Sequence, residues 1–366
     1  MSAGLLADEK LWGHTALARW SFEPHSGGAE RQFEYFVRAF SRMSVRVTVY
    51  CNAYRGNSER LGSNVNVKNF LCDHASFVEK INKEAQTDSP DFLHASEMVP
   101  GATSIRIGDG IHATFLKNMQ KYNHGLNRLR FHPWLHRRKL EWEKKALAHT
   151  SLTHIISPSE MCLDDLQENT QGLAFRTCVI PNVIQPHLID TPLGGENTSS
   201  TLRIIFVGSG YRRKGLELLL RSLARVNRPF TLQVVGQDSH QFRYQSLSRE
   251  LGIEQNISWL GLVKDTTQIY RDADLLALPA LYEPSGNVVL EALAMGVKVL
   301  ISEFVGCKSF VNSDTGSIVS LNETEVVAAI NQSSPAYNRQ LIRDSVAHFT
   351  EAYFQNNLIR FYSGIV

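Results

Sequence analysis

The sequence predicts an α/β protein made of two Rossmann-like parallel-sheet domains facing a central cleft. Three observations lead there. The 366 residues leave room for two cores at roughly 150 residues per domain. Short, nearly all-apolar runs such as Leu202-Arg203-Ile204-Ile205-Phe206-Val207 and Leu275-Leu276-Ala277-Leu278 alternate with helical patterns, as parallel strands covered on both faces require. A polar stretch with Pro186, Pro192, Gly194, Gly195 and the run Asn197 to Thr201 interrupts that alternation and reads as a linker. The expected domains are 1–185, with a C-terminal helix at about 346–366 packing back on it, and 200–345.

Taken in order, Ala16 to Trp20 reads as a first strand and Glu30 to Arg42 as a helix with Phe33, Phe36, Val37 and Phe40 on one face. Val45 to Tyr50 is β-branched and strand-like, Ser104 to Ile107 is a further strand, and Ile155-Ile156-Ser157 a short buried one. The second series opens with Leu202 to Val207 and a helix from Leu216 to about Val226. Strand patterns follow at Leu232 to Val235, Ile257 to Trp259, Leu275 to Leu278 and Lys298 to Ile301. Open parallel sheets bind ligands beyond the carboxyl ends of their strands, so the loops after these strands are where chemistry is expected.

Composition narrows the class. Hydrophobic residues make up 43% and charged residues 20%, which excludes disorder, collagen and coiled coil. With 38 basic and 36 acidic side chains the formal charge is +2, so any basic function is local. Cys51, Cys72, Cys162, Cys178 and Cys307 contain no C-x-x-C pair, which argues for a reducing compartment over a disulfide framework or a zinc site. Asp8 and Glu9 fall where a signal peptide needs an apolar stretch, and no apolar run approaches the roughly 20 residues of a membrane span. The expectation is a cytoplasmic protein.

Three loops carry candidate chemistry. Ser26-Gly27-Gly28-Ala29 lies between the first strand and the first helix, where paired glycines let backbone amides approach an anion; a plain tight turn is the alternative. Gly208-Ser209-Gly210-Tyr211-Arg212-Arg213-Lys214-Gly215 follows the first strand of the second half. It fails as a Walker A loop, because Leu216 follows Gly215, and as a dinucleotide fingerprint, because its third glycine comes late. A phosphate clamp explains three adjacent cations at a strand end better than a solvated charge run does. Tyr282-Glu283-Pro284-Ser285-Gly286-Asn287-Val288-Val289-Leu290-Glu291-Ala292 leads into a helix stopped by Gly296. Its first-turn amides suit a diphosphate, and Glu291 sits in apolar company that is costly for an unpaired carboxylate. The bland alternative makes Ser285 or Asn287 an N-cap and Glu291 a surface charge.

This stretch resembles the E-x7-E element of the retaining glycosyltransferases of family 4, which have the GT-B fold. The resemblance extends to Gly27-Gly28, Arg213-Lys214-Gly215, Val235-Gly236-Gln237-Asp238 and Ala273-Asp274-Leu275 with Pro279. Gly28-Ala29-Glu30-Arg31, Arg106-Ile107-Gly108-Asp109-Gly110-Ile111-His112 and Val207-Gly208-Ser209 resemble the bacterial lipopolysaccharide core glucosyltransferase I group. The resemblance implies that Glu283 contacts donor-sugar hydroxyls and Glu291 the ribose. It implies that Arg213 and Lys214 hold the diphosphate, with amides near Gly27, Gly28, Gly286, Asn287 and Val288. Asp109 is placed by it near the reacting centre, with Arg31 and His112 toward the acceptor. Ser209 departs from the pattern, since many relatives carry Arg there; Arg212 is the residue that could compensate.

Asp272-Ala273-Asp274 looks like a D-x-D metal motif but precedes a strand at the end away from the expected site. The 13 histidines offer no spaced ligand set, so neither a metal nor another cofactor is expected, and leaving-group charge falls to cations and helix dipoles. From Lys117 to Lys145, Lys117, Lys121, Arg128, Arg130, Arg137, Arg138, Lys139, Lys144 and Lys145 face only Glu141 and Glu143, interleaved with Phe115, Leu126, Leu129, Phe131, Trp134, Leu135 and Trp142. That pattern fits an anionic membrane surface; a solvated helix face and nucleic acid are the alternatives, nucleic acid being the partner not expected. The function expected is transfer of a hexose, glucose from UDP-glucose, to a lipopolysaccharide core or other lipid-linked glycan by a peripheral membrane enzyme. A non-hydrolysing nucleotide-sugar epimerase and a non-catalytic nucleotide-sugar-binding protein are the alternatives.

Overall fold

The computed structural model describes residues 11–23, 27–54, 56, 58–122, 133–195 and 198–364. Ser26 of the first glycine turn, Asn197 of the linker run, Asp8 and Glu9, and Leu126, Arg128, Leu129, Arg130 and Phe131 of the basic stretch lie outside these. The chain divides into two compact units, Met1–Ala113 with Arg130–Val183 and Glu351–Val366, and Thr114–Leu129 with Ile184–Thr350.

The first unit runs β1 (Trp12–Ser21), α1 (Gly28–Met43), β2 (Ser44–Ala53), β3 (Val65–Asn69), α2 (His74–Asp88), β4 (Phe92–Ala95) and β5 (Ser104–Arg106). Helix α3 (His112–Lys121) starts here and continues as part of the second unit. Then come α4 (Pro133–Leu147), β6 (His154–Ser157), α5 (Glu160–Asn169) and β7 (Arg176–Val179). All seven strands are parallel, in the order β3-β2-β1-β4-β5-β6-β7. The apolar face of α1, Phe33, Phe36, Val37 and Phe40, is fully buried with Leu17, Val47 and Val49 of the sheet. Each such side chain contributes roughly 1.5–3 kcal/mol by leaving water.

The second unit contains α6 (Pro186–Asp190), β8 (Leu202–Val207), α7 (Leu216–Leu223), β9 (Phe230–Val235), α8 (Gln241–Glu250), β10 (Ile257–Gly261), α9 (Thr267–Asp272) and β11 (Leu275–Leu278). It continues with α10 (Asn287–Ala294), β12 (Lys298–Ser302), β13 (Gly316–Val319), α11 (Glu323–Gln332) and α12 (Arg339–Asp344). Its six parallel strands run β10-β9-β8-β11-β12-β13. The last helix, α13 (Glu351–Ser363), belongs to the first unit, where Phe354, Leu358 and Phe361 join the α1 core and the Phe354 and Phe36 rings meet at 4.8 Å.

Strand order sets the site. In the first sheet the chain goes from β1 to β2 on one side and places β4 on the other; in the second, β8 is flanked by β9 and β11. The crevice at such a switch point is where open α/β sheets bind ligands. Gly27-Gly28 follows β1, Gly208 to Gly215 follows β8, and Pro279 to Gly286 follows β11. The helix expected to reach Val226 ends at Leu223, its last turn tightened by three-residue bonds from Arg225 N–H to Ser222 O and Val226 N–H to Leu223 O, ahead of Pro229.

Candidate active site

The loop after β8 is shaped by two glycines. Gly215 has φ +80° and a Cβ there would lie 1.8 Å from the Pro279 carbonyl oxygen; at Gly208, φ +133°, it would lie 2.3 Å from Lys214 Cε. Lys214 therefore folds back over Gly208, and the loop lies against the segment after β11, where Leu281 N–H bonds Arg213 O at 2.8 Å. Tyr211 anchors the loop from inside, its hydroxyl donating to Gly236 O at 2.8 Å while its N–H donates to Asp238 at 2.9 Å.

Arg213 and Lys214 converge on one oxygen. Arg213 Nη1 is 2.7 Å and Lys214 Nζ 2.8 Å from Glu283 Oε2, and the same Nη1 donates to Tyr282 O at 2.9 Å. The Lys214 and Glu283 side chains are 8% and 13% exposed, that of Arg213 33%. Burial alone would raise the Glu283 pKa, but Lys214 and then Arg213 outweigh it and hold the carboxyl at about 2, so it stays ionised at neutral pH. Its backbone is pinned on both sides, Glu283 N–H to Phe304 O at 2.9 Å and Gly306 N–H to Glu283 O at 2.8 Å.

Gly286 is the N-cap of α10 in the left-handed region, φ +65°, without a side-chain cap. The N-cap position thus belongs to Gly286, between Ser285 and Asn287. A Cβ at Gly286 would lie 2.4 Å from Cys307 Sγ, so only glycine passes there. Glu291, half-buried on α10, receives the Tyr270 hydroxyl at 2.9 Å on Oε2 and Gln185 Nε2 at 3.5 Å on Oε1. Ser209 is exposed and its Oγ accepts from Gln237 N–H at 3.2 Å. Half-buried Arg212 has a guanidinium pKa lowered by burial first, with Arg243 acting in the same direction and Glu217 against it.

The remaining candidates lie in the first unit. Gly27 caps α1 in an extended conformation, and a Cβ there would lie 2.6 Å from Glu30 Oε2. Glu30 takes Ser21 Oγ at 3.3 Å and pairs with Arg19 at 3.9 Å, so the amide end of α1 already carries a carboxylate. Arg31 is half-buried, and its N–H reaches Gly27 O at 3.2 Å. Asp109 is exposed in the turn closed by Gly110 N–H on Ile107 O at 3.0 Å. The amides that open α3, those of His112 and Ala113, donate to Glu143 of α4 at 2.5 and 3.2 Å. Burial raises the Glu143 pKa, and these two bonds oppose the rise. The His112 ring lies 3.1 Å from His136 Nδ1, and burial, followed by Lys139 and His136, lowers its pKa to about 4.

Asp274 is occupied in the fold. It accepts from Arg203 N–H at 2.9 Å, Nε at 3.1 Å and Nη2 at 2.7 Å, with Arg339 at 3.6 Å. Among the described residues there is no group of three or more His, Cys, Asp or Glu placed to hold a metal, and no helix long and apolar enough to cross a membrane. Tyr270, Glu143 and Asn118, whose Nδ2 donates to Leu281 O at 3.3 Å, were not candidates from sequence. Tyr270 and Asn118 sit in mixed polar helical segments that mark no site, and a cap supplied from 31 positions away leaves no local trace.

A parallel α/β fold with a basic glycine loop and an E-x7-E helix at one switch point defines a GT-B glycosyltransferase architecture. Residues 26–188 match the family described as Glycosyltransferase Family 4, and residues 201–333 match Glycosyl transferases group 1; the chain belongs to this glycosyltransferase family. It is 24% identical over 339 residues to the lipopolysaccharide core biosynthesis glycosyltransferase LpsE of Rhizobium meliloti, covering 84% of this chain and 85% of that one. It is 30% identical over 121 residues to the lipopolysaccharide glucosyltransferase WaaG of Escherichia coli, where the match spans 32% of each chain. A crystal structure of WaaG superimposes with TM-score 0.74 at 18% identity, over 96% of this chain and 100% of that one. The Anabaena protein HepE, solved in complex with UDP-glucose, gives TM-score 0.66 at 17% identity over 96% and 100%.

Proposed function

We propose that the protein is a retaining hexosyltransferase that moves glucose from UDP-glucose to a lipopolysaccharide core or another lipid-linked glycan. One observation carries this reading: Arg213 and Lys214 meet on Glu283 Oε2 beside the glycine-capped N-terminus of α10. Two cations and a helix dipole are thus gathered where a diphosphate leaves, and preorganised charge of this kind is worth most in a partly desolvated site. Glu283, ionised between the cations, accepts from hydroxyls of the donor sugar, and Glu291 accepts from the ribose. Amides at Gly286, Asn287 and Val288, with those at Gly27 and Gly28, complete the donor contacts, and Ser209 adds a hydroxyl. Asp109 orients the acceptor hydroxyl or offsets positive charge at the anomeric carbon, with Arg31 and His112 toward the acceptor.

The names of LpsE and WaaG support the acceptor class, and the HepE complex supports the donor. Presentation of a lipid-linked acceptor agrees with a peripheral position at the inner face of the cytoplasmic membrane. Helix α4 supports it by exposing Trp134 (66%) and Leu135 together with Arg137, Arg138, Lys139, Lys144 and Lys145.

The test is radiolabelled transfer from UDP-glucose to lipopolysaccharide core lacking its first glucose, with the anomeric configuration of the product read by NMR. Labelled lipopolysaccharide with the α-linkage of the donor is expected. Interconversion of the free nucleotide sugar without transfer, or tight UDP-glucose binding with neither, contradicts the reading.

A further inference from the structure

We infer that Tyr270 is a positioning residue for the donor nucleoside: its phenol holds Glu291 so that the carboxylate is already set for the ribose diol when the nucleotide arrives. This rests on the reading of Glu291 as the ribose contact. Glu291 follows Asn287 by four positions on α10, so it shares a face with the helix's first turn. Its neighbours Val289, Leu290, Ala292 and Leu293 are buried, which leaves a carboxylate at an apolar wall in need of a fixed partner. Tyr270, on α9, is fully buried, with its hydroxyl 2.9 Å from Glu291 Oε2 and 3.4 Å from Val288 O. The one phenol therefore reaches both the carboxylate and the first turn of α10. Gln185 Nε2 approaches the other oxygen at 3.5 Å, a longer and weaker contact. An ionised glutamate accepts at either oxygen and so can take two ribose hydroxyls. Holding its rotamer beforehand removes an ordering cost from binding.

A tyrosine that merely staples α9 to α10 would affect stability and all ligands alike. The positioning role acts only through the ribose hydroxyls, and that separates the two. Titration calorimetry of the full chain with UDP and with 2′,3′-dideoxy-UDP, on wild type and Tyr270→Phe, measures it. Tyr270→Phe is expected to weaken UDP about tenfold, the equivalent of roughly 1.4 kcal/mol, and to leave dideoxy-UDP unchanged. In turnover with UDP-glucose, its KM rises while kcat holds. Equal weakening of both nucleotides, or of neither, overturns the inference while the Glu291 reading stands, provided Glu291→Ala still weakens UDP. If wild type does not distinguish UDP from its dideoxy form, or Glu291→Ala binds UDP normally, the Glu291 reading fails and the inference with it. Should Tyr270→Phe not fold, Tyr270→His carries the test: it keeps a ring at this position but withdraws the phenol donor from Glu291 Oε2, and the same selective loss for UDP over dideoxy-UDP is required of it.

Discussion

Glu283 shows how much chemistry one oxygen can organise. Two cations bond Oε2 at 2.7 and 2.8 Å, and removing a partner from a buried pair leaves uncompensated charge at a cost of roughly 3–5 kcal/mol. Substitutions at this position therefore need a stability control. Glu283→Gln keeps volume and is expected to lower kcat, because contacts to the sugar strengthen as its bond breaks. Glu291→Ala is expected to raise the KM for UDP-glucose with kcat little changed, since ribose contacts serve ground and transition states equally. Steady-state kinetics beside thermal melts check both, and reversed profiles mean that the donor lies the other way along α10. Asp109→Asn is expected to lose activity without losing stability: Glu143 takes the amides of His112 and Ala113, so the start of α3 keeps these partners. A melting temperature that falls in parallel with activity contradicts the catalytic role of Asp109. The cations and both carboxylates stand out in the sequence because each sits in a glycine-bearing loop or in the helix start that follows it. Their convergence was not legible, since Lys214 and Glu283 are separated by 69 positions.

At the scale of elements, legibility followed unbroken apolar runs, so that even β4 (Phe92–Ala95), buried throughout but interrupted by His94, went unread. Strands β8, β11 and β12, almost wholly apolar, read directly from their runs, as interior parallel strands should. Strands β3 (Val65–Asn69), β7 (Arg176–Val179) and β13 (Gly316–Val319) lie at or beside sheet edges, and their mixed composition gave no run to see. The basic stretch is divided between α3 and α4, and the two behave differently. Phe115 and Tyr122 of the α3 region pack on Tyr282 and Phe304, inward toward the E-x7-E loop, whereas α4 exposes Trp134 and its cations. The membrane proposal therefore rests on α4. Each basic side chain near an anionic surface is worth about 1 kcal/mol, so co-sedimentation with phosphatidylserine vesicles at low salt is expected. Loss of binding at high salt, and on replacing Arg137, Arg138 and Lys139 by Gln, should follow. Equal binding to neutral and anionic vesicles, or none to either, contradicts the docking role.

Across the whole molecule, stability should fall as pH drops: buried His94 and paired Glu283 act in that direction, while Glu143, its pKa raised by burial, opposes them. His94 is fully buried, with its pKa lowered to about 3 by burial and then by Arg106. The unfolded chain takes up a proton near its ordinary pKa of 6.5 that the folded chain refuses, so stability is lost as pH falls from about 6.5 toward 3. That slope is roughly 1.4 kcal/mol per pH unit. Glu283, depressed to about 2, contributes stability present above about 4.5 that disappears as pH approaches 2. Urea midpoints measured by circular dichroism from pH 7 to 4 should decline, and His94→Gln should flatten the upper part of the decline. A midpoint constant over that range contradicts the burial argument. The two-sheet architecture was legible at this scale from alternation and one polar interruption; neither Asp274 bound by Arg203 nor Tyr270 bound to Glu291 was, because both depend on elements meeting in space.

The central claim is that Arg213 and Lys214 form a clamp for the leaving diphosphate, and Lys214→Ala tests it most directly. Lys214 bonds Glu283 in the resting site, and the clamp we propose assigns it to the charge that develops on the departing phosphate. Turnover of UDP-glucose with acceptor at saturation is expected to fall by roughly two to three orders of magnitude, the loss typical for one preorganised charge-stabilising donor. Its melting temperature should fall, because a buried partner of Glu283 is lost, so turnover is measured well below the midpoint of the variant, where it is folded. Folded Lys214→Ala protein that turns over UDP-glucose at the wild-type rate would contradict the account.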